Sequence, residues 1–139
     1  MTETALRELA RKYVGMWNEP DPAARRAAVR ELWAEDGVHL LHPPEDIRKA
    51  AAGYGFVGQA LEARGYEALE LRVARSHEEF VATGEFTFAP AGEPVRLKDV
   101  VRLDWQAVRT ADGEAAGGGT DFLVLDRDGR IAADYQFPG

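Results

Sequence analysis

The chain has 139 residues, 45% of them apolar, and a formal net charge of −7. That length suits one domain, residues 1–139, with a core of its own. The acidic balance argues against a nucleic-acid partner, and the absence of cysteine excludes disulfides, thiol nucleophiles and thiolate metal sites.

The N-terminal "MTETALRELARKY" is charged and amphipathic and has no signal-peptide core, and no apolar run reaches the length of a membrane span, so a cytoplasmic protein with no membrane partner is expected. In residues 3–18, Leu6, Leu9, Tyr13 and Trp17 recur at three-to-four spacing and predict a helix. "NEPDP" breaks it. Asp21 suits an N-cap and Pro22 the first helical position, predicting a second helix to about Trp33 that "AEDG" ends. "VHLLH" reads as a short strand. "PPEDIRKAAAGYG" reads as a short helix opening at proline, Gly53, Gly55 and Gly58 as a loose passage, and "ALEARG" as a short strand. Over 66–81, Ala68, Leu69, Val73, His77 and Phe80 follow helical spacing.

From Gly84 the period becomes two. "GEFTF" is one strand. "PVRLKDVVRLDWQAV" reads as a single long one, with Val95, Leu97, Asp99, Val101, Leu103, Trp105 and Ala107 on one face and Arg96, Lys98, Arg102 and Asp104 on the other. "TADGEAAGGG" reads as a turn, "TDFLVL" as a strand and "DRDG" as a hairpin turn. "RIAADYQF" closes the chain, with Ile131, Ala133, Tyr135 and Phe137 inward. Helices followed by a meander of strands give an α+β fold. One strongly curved mixed sheet wrapped around three helices of the N-terminal half would enclose a pocket between helices and sheet.

The order of four pieces resembles the NTF2-like superfamily, and within it the SnoaL-like and ketosteroid-isomerase-like branch. They are "ARKYVGMW", "LWAEDGVHLLHP", "GYEALELRV" and "TDFLVLDRDGRIAADYQF". The resemblance spans nearly the whole chain. It implies the cone fold, a homodimer formed through the sheet and a cofactor-independent isomerase or cyclase type of chemistry. By the same resemblance, Asp121 stands where those isomerases carry a protonated Asp that donates to the substrate oxyanion, and Tyr13 is the nearest counterpart of the second donor. Their general base is an Asp before a Pro. This chain has His42 before Pro43 instead.

The candidate catalytic residues are therefore His42, Asp121 and Asp99. His42 would move the proton, since an imidazole titrates near neutrality. A carboxyl facing a dry cavity has its pKa raised and can donate while neutral; Asp121 either does this or pairs on the outer face, and periodicity does not choose. Asp99 interrupts an otherwise apolar face and needs either a partner or a role there. Tyr13, Trp17, His77, Trp105 and Tyr135 are the candidate substrate-binding residues, with core packing the alternative for each. No cofactor is expected, since "AAGGGTDF" lacks the strand-to-helix setting of a dinucleotide loop. No metal is expected either, because His39 and His42, three apart on a strand, point to opposite faces. The reading is a pocket for a small apolar or aromatic ligand, with acid–base catalysis on a carbonyl compound (isomerase, cyclase, dehydratase or hydrolase type). The alternative is a non-catalytic ligand-binding or dimeric interaction module.

Overall fold

The computed structural model describes residues 1–56 and 60–139; Gly58, read above as part of a loose passage, lies outside them. Helix α1 spans Glu3–Asn18, and the Thr2 hydroxyl caps it by accepting from the Ala5 amide at 3.0 Å. Its apolar stripe buries Leu9, Tyr13, Val14, Met16 and Trp17. Helix α2, Pro22–Leu32, begins at the expected Asp21 cap, which accepts from the Ala24 amide at 3.0 Å. Strand β1, Trp33–Leu41, follows at once. Trp33 opens this strand instead of ending the helix. "AEDG" forms an irregularity inside β1, and glycine is required at its end because a side chain at Gly37 would stand 2.8 Å from the Ile131 carbonyl.

Helix α3, Glu45–Gly53, buries no residue, so it is not one of the helices that fill the cone. Strand β2 is Leu61–Arg64. Helix α4, Tyr66–Ser76, buries Leu69 and Val73 and runs into a π-helical turn at His77–Val81. Strands β3 (Phe86–Pro90), β4 (Val95–Leu97), β5 (Val100–Arg109), β6 (Ala115–Leu125) and β7 (Ile131–Pro138) complete the chain. The sheet order is β2-β1-β7-β6-β5-β3, with β4 paired to β5. Among the described residues only β1 and β7 pair in parallel, and the seven-stranded sheet they belong to is mixed, curved and unclosed. No helix among the described residues is long and apolar enough to cross a membrane.

Three expectations need correction. The long strand over 94–108 is two strands folded back on each other. Leu97 pairs with Val100, and Lys98 takes φ 53° in the two-residue turn. Val95, Leu97 and Asp99 are therefore exposed, while Val101 and Leu103 keep the buried face. "AAGGG" is not turn but the start of β6. In β7 the inward set is wrong beyond Ile131. Val124 pairs with Ala133 and Leu125 with Ile131, so Ala132 is a bulge residue. One extra residue reverses the alternation. Asp134 is fully buried and Gln136 half-buried, while Tyr135 and Phe137 are 43% and 45% exposed.

Candidate functional site

Between the concave face and the helices lies a cavity of about 880 Å³. Its apolar wall includes Trp17, Phe80, Phe86, Phe88 and Trp105. Phe88 meets both Phe80 and Trp105 edge-on, at 6.3 and 5.6 Å between ring centres. The polar groups on that wall are fewer: Tyr13 from α1, His39 from β1, Arg72 from α4 and Gln136 from β7 lead them.

Behind this wall sit two carboxyl groups, Asp121 and Asp134, both fully buried. The Tyr13 hydroxyl lies between them, 2.7 Å from Asp121 Oδ2 and in close contact with Asp134 Oδ2. Asp121 also accepts from Trp105 Nε1 at 2.7 Å and Gln136 Nε2 at 3.2 Å. Three donors on one carboxyl suit its ionised form. One hydroxyl hydrogen serves only one of two acceptors, so with Tyr13 donating to Asp121, Asp134 must bring a proton of its own. Burial, reinforced by the charge of Asp121, pushes Asp134 well above the usual carboxylate range. Its Oδ1 atom has no donor among the described residues, which a neutral carboxyl tolerates better than a carboxylate. Burial and both carboxyl groups push the Tyr13 hydroxyl up as well.

A second chain of hydrogen bonds runs to Asp121. Arg72 Nη1 donates to His39 Nδ1 at 2.9 Å, which makes Nδ1 an acceptor and leaves the ring hydrogen on Nε2. That hydrogen points to Gln136 Oε1 at 3.2 Å, and the Gln136 amide nitrogen then donates to Asp121. Every donor in the series Arg72, His39, Gln136 faces the carboxylate. His39 is 1% exposed, and its pKa is lowered to about 3 by burial and then by the Arg72 charge. It is neutral at any physiological pH.

The residues singled out from sequence separate. Tyr13, Trp17 and Trp105 line the cavity, and Asp121 lies just behind it, facing inward, where it accepts from Tyr13, Trp105 and Gln136. His42 does not: it is exposed in an outer groove with Tyr135 and Phe137, 5.7 Å from the Phe137 ring. Asp99 stands in the β4–β5 turn, exposed, where its carbonyl accepts from the Leu125 amide. His77 is buried outside the cavity, and burial with the nearby Arg25 charge lowers its pKa. His42, Asp99 and Asp121 thus share no cavity. His39 and His42 do point to opposite faces. The acidic and imidazole groups that do meet are His39, Asp121 and Asp134, whose ligand-type atoms lie within 4.8 Å of one another. His39 Nε2 and Asp134 both carry hydrogens there, and a divalent cation would have to displace them.

His39, Arg72, Asp134 and Gln136 were missed. Asp134 and Gln136 stand on the face that the Ala132 bulge turned inward. Arg72 had a signal: with Ala68 and Arg75 it forms a stripe beside the buried Leu69 and Val73, at helical spacing, and all three line the cavity.

No protein-family model matches the sequence, and no curated protein matches it. Solved structures do match its fold. A SnoaL-like family protein from Agrobacterium tumefaciens superposes with a TM-score of 0.77 at 24% identity, covering 98% of each chain. The chain has the NTF2-like fold. A SnoaL-like protein of unknown function from Burkholderia thailandensis matches over 100% of this chain and 98% of its own, with a TM-score of 0.68 at 14% identity. A phenazine biosynthesis-related protein from Pseudomonas aeruginosa covers 99% of this chain and 83% of its own, with a TM-score of 0.55 at 19% identity. At these identities the likeness is one of fold.

Proposed function

We propose that this NTF2-like protein binds a small, largely apolar ligand between its helices and the concave sheet. The carrying observation is the cavity of about 880 Å³ with aromatic walls and few polar groups, a size and composition typical of small-molecule sites. The polar groups on the wall are already oriented by bonds to one another, so a ligand would meet fixed dipoles rather than mobile ones. Acid–base catalysis on a carbonyl compound is the second reading. It rests on Tyr13, which lines the cavity and touches a neutral carboxyl and a carboxylate behind it. Tyr13 would polarise a ligand carbonyl by turning its hydrogen from Asp121 to the ligand, while Asp134 keeps donating to the Tyr13 oxygen. His39, with both nitrogens bonded and a lowered pKa, does not supply the base in that reading. We also propose that a second copy covers the outer face, where Phe122 and Phe137 meet edge-on at 5.9 Å and Tyr135 lies exposed beside Phe137 on β7.

The test is a titration with 1-acetonaphthone, an aromatic ketone, followed through the fluorescence of Trp17 and Trp105. Saturable quenching with one site and a raised melting temperature are expected, and Ala107→Phe, which fills the cavity from β5, should remove both. Quenching that never saturates, or that survives Ala107→Phe, would refute ligand binding here. Exchange of the ketone's methyl hydrogens for deuterium in D2O by wild type but not by Tyr13→Phe would select the catalytic reading.

A further inference from the structure

The cavity wall holds a half-buried cation, Arg72, that no carboxylate among the described residues neutralises. Arg72 is half-buried on α4, and its Nη1 is shared among His39 Nδ1 (2.9 Å), the Leu61 carbonyl (2.9 Å) and the His39 carbonyl (3.2 Å). All three are neutral acceptors. Its Nε and Nη2 hydrogens have no acceptor among the described residues, and it forms no ion pair among them. Burial lowers its pKa, with no carboxylate acting the other way. A guanidinium partly out of water normally finds a carboxylate, since an uncompensated charge there is costly. Nε and Nη2 lie on one edge of the guanidinium and form a two-pronged donor that matches a carboxylate.

The surroundings select among ligands. Arg75, three residues on and also on the wall, is exposed and in no ion pair among the described residues, adding a second positive charge near the mouth. The wall's two glutamates do not cancel Arg72: Glu62 is exposed with Arg64 3.7 Å away, and Glu79 is exposed on the π-helical turn. The rest of the wall is aromatic and aliphatic. Nothing cationic in a ligand would be met by a free carboxylate in the depth of the cavity, because Asp121 already accepts three bonds behind the wall and Asp134 is neutral.

Resting on the ligand-binding reading above, we infer that the ligand is an amphipathic anion: an apolar, preferably aromatic body carrying one carboxylate, which docks on the Nε–Nη2 edge of Arg72. Arg72 is then both wall and anchor. Its Nη1 bonds fix the guanidinium plane before the ligand arrives, so little side-chain freedom is lost on binding.

A matched pair of probes tests this: 1-naphthaleneacetate and the nearly isosteric 1-naphthaleneacetamide, titrated against the full chain at neutral pH by tryptophan fluorescence. The carboxylate should bind about tenfold tighter than the amide, and added salt should narrow the gap. Arg72→Gln should bring the two affinities to within about twofold, chiefly by weakening the carboxylate. Arg72→Lys keeps a charge without the fork and should retain part of the preference. Equal affinity of the two probes for the wild-type chain would overturn the inference while leaving the ligand-binding reading intact. So would a preference that survives Arg72→Gln undiminished. If Arg72→Gln fails to fold, the wild-type comparison and Arg72→Lys still decide. If neither probe binds, the ligand-binding reading itself falls.

Discussion

Asp134 and His39 face each other's surroundings at 3.8 Å, both without solvent and both neutral, and their neutrality sets how folding responds to pH. His39 has a folded-state pKa of about 3, below its ordinary 6.5. Its contribution to stability is complete above about pH 6.5 and is lost as pH falls toward 3. Asp134 has a folded-state pKa above its ordinary 3.8. Its contribution is complete below about pH 4 and is lost as pH rises toward the folded value. Between about pH 4 and 6.5 the two slopes oppose and cancel. Above 6.5 the Asp134 slope stands alone, and stability falls as pH rises. Urea unfolding across pH 4–8 should show a plateau and then a decline. Asp134→Asn should abolish the decline and expose the rise from acid pH, while His39→Gln should start the decline near pH 4. A decline above pH 6.5 that persists unchanged in Asp134→Asn would show that another group carries it. Of this cluster, Tyr13 and Asp121 were legible through the resemblance. Their partners were not: Asp134 looked like an outward residue of an alternating strand, and His39 lost to His42 because neither burial nor Arg72 is visible in a string of letters.

Elements were legible where local chemistry marks them. The Asp21–Pro22 start of α2 and the "DRDG" turn, where Gly129 takes φ 80°, are where capping and turn rules put them. The π-helical turn after α4, the two-residue turn at Lys98 and the Ala132 bulge were not, since each depends on what a neighbouring strand or helix demands. The "GGG" run shows the same limit. Glycine signals a turn by default, but here it is strand made thin for a neighbour. A side chain at Gly119 would stand 2.6 Å from Trp105 Cζ2 and 2.7 Å from the Phe137 carbonyl, and Gly119 is what lets the indole cross β6 to reach Asp121. Gly119→Ala should cost about 1–3 kcal/mol in urea unfolding and shift the Trp105 emission as its bond to Asp121 breaks. Trp105→Phe/Gly119→Ala should recover only part, because the Phe137 carbonyl stays in the way. An unchanged midpoint in the single variant would mean that β6 and β7 separate more easily than their pairing implies.

At the scale of the molecule, a mixed sheet curls around α1, α2 and α4, with the polar cluster on its concave side and an apolar patch of Phe122, Tyr135 and Phe137 on the other. That architecture was readable from the order of elements, because helices early and long strands late leave few ways to build one core. The separation of His42 from Asp121 was not, because it is a property of the sheet's two faces. If the patch is covered by a second copy, light scattering coupled to size exclusion should give about twice the 15.3 kDa of one chain. Phe122→Asp/Phe137→Asp should then give a folded species of half that mass. A monomeric wild type would leave the patch without the proposed cover.

The single extra residue in β7, Ala132, makes the strand's message depend on counting. Losing Ala132 itself would only close the bulge and leave Asp134 opposite Leu123, but losing a residue beyond it, such as Tyr135, would exchange inside for outside, sending Gln136 to solvent and Phe137 into the cavity. Substitutions along β7 can be absorbed one at a time, but a shift in length rewrites cavity and outer face together. Lineages descending from this chain should therefore vary in the letters of that strand and be strict about its spacing.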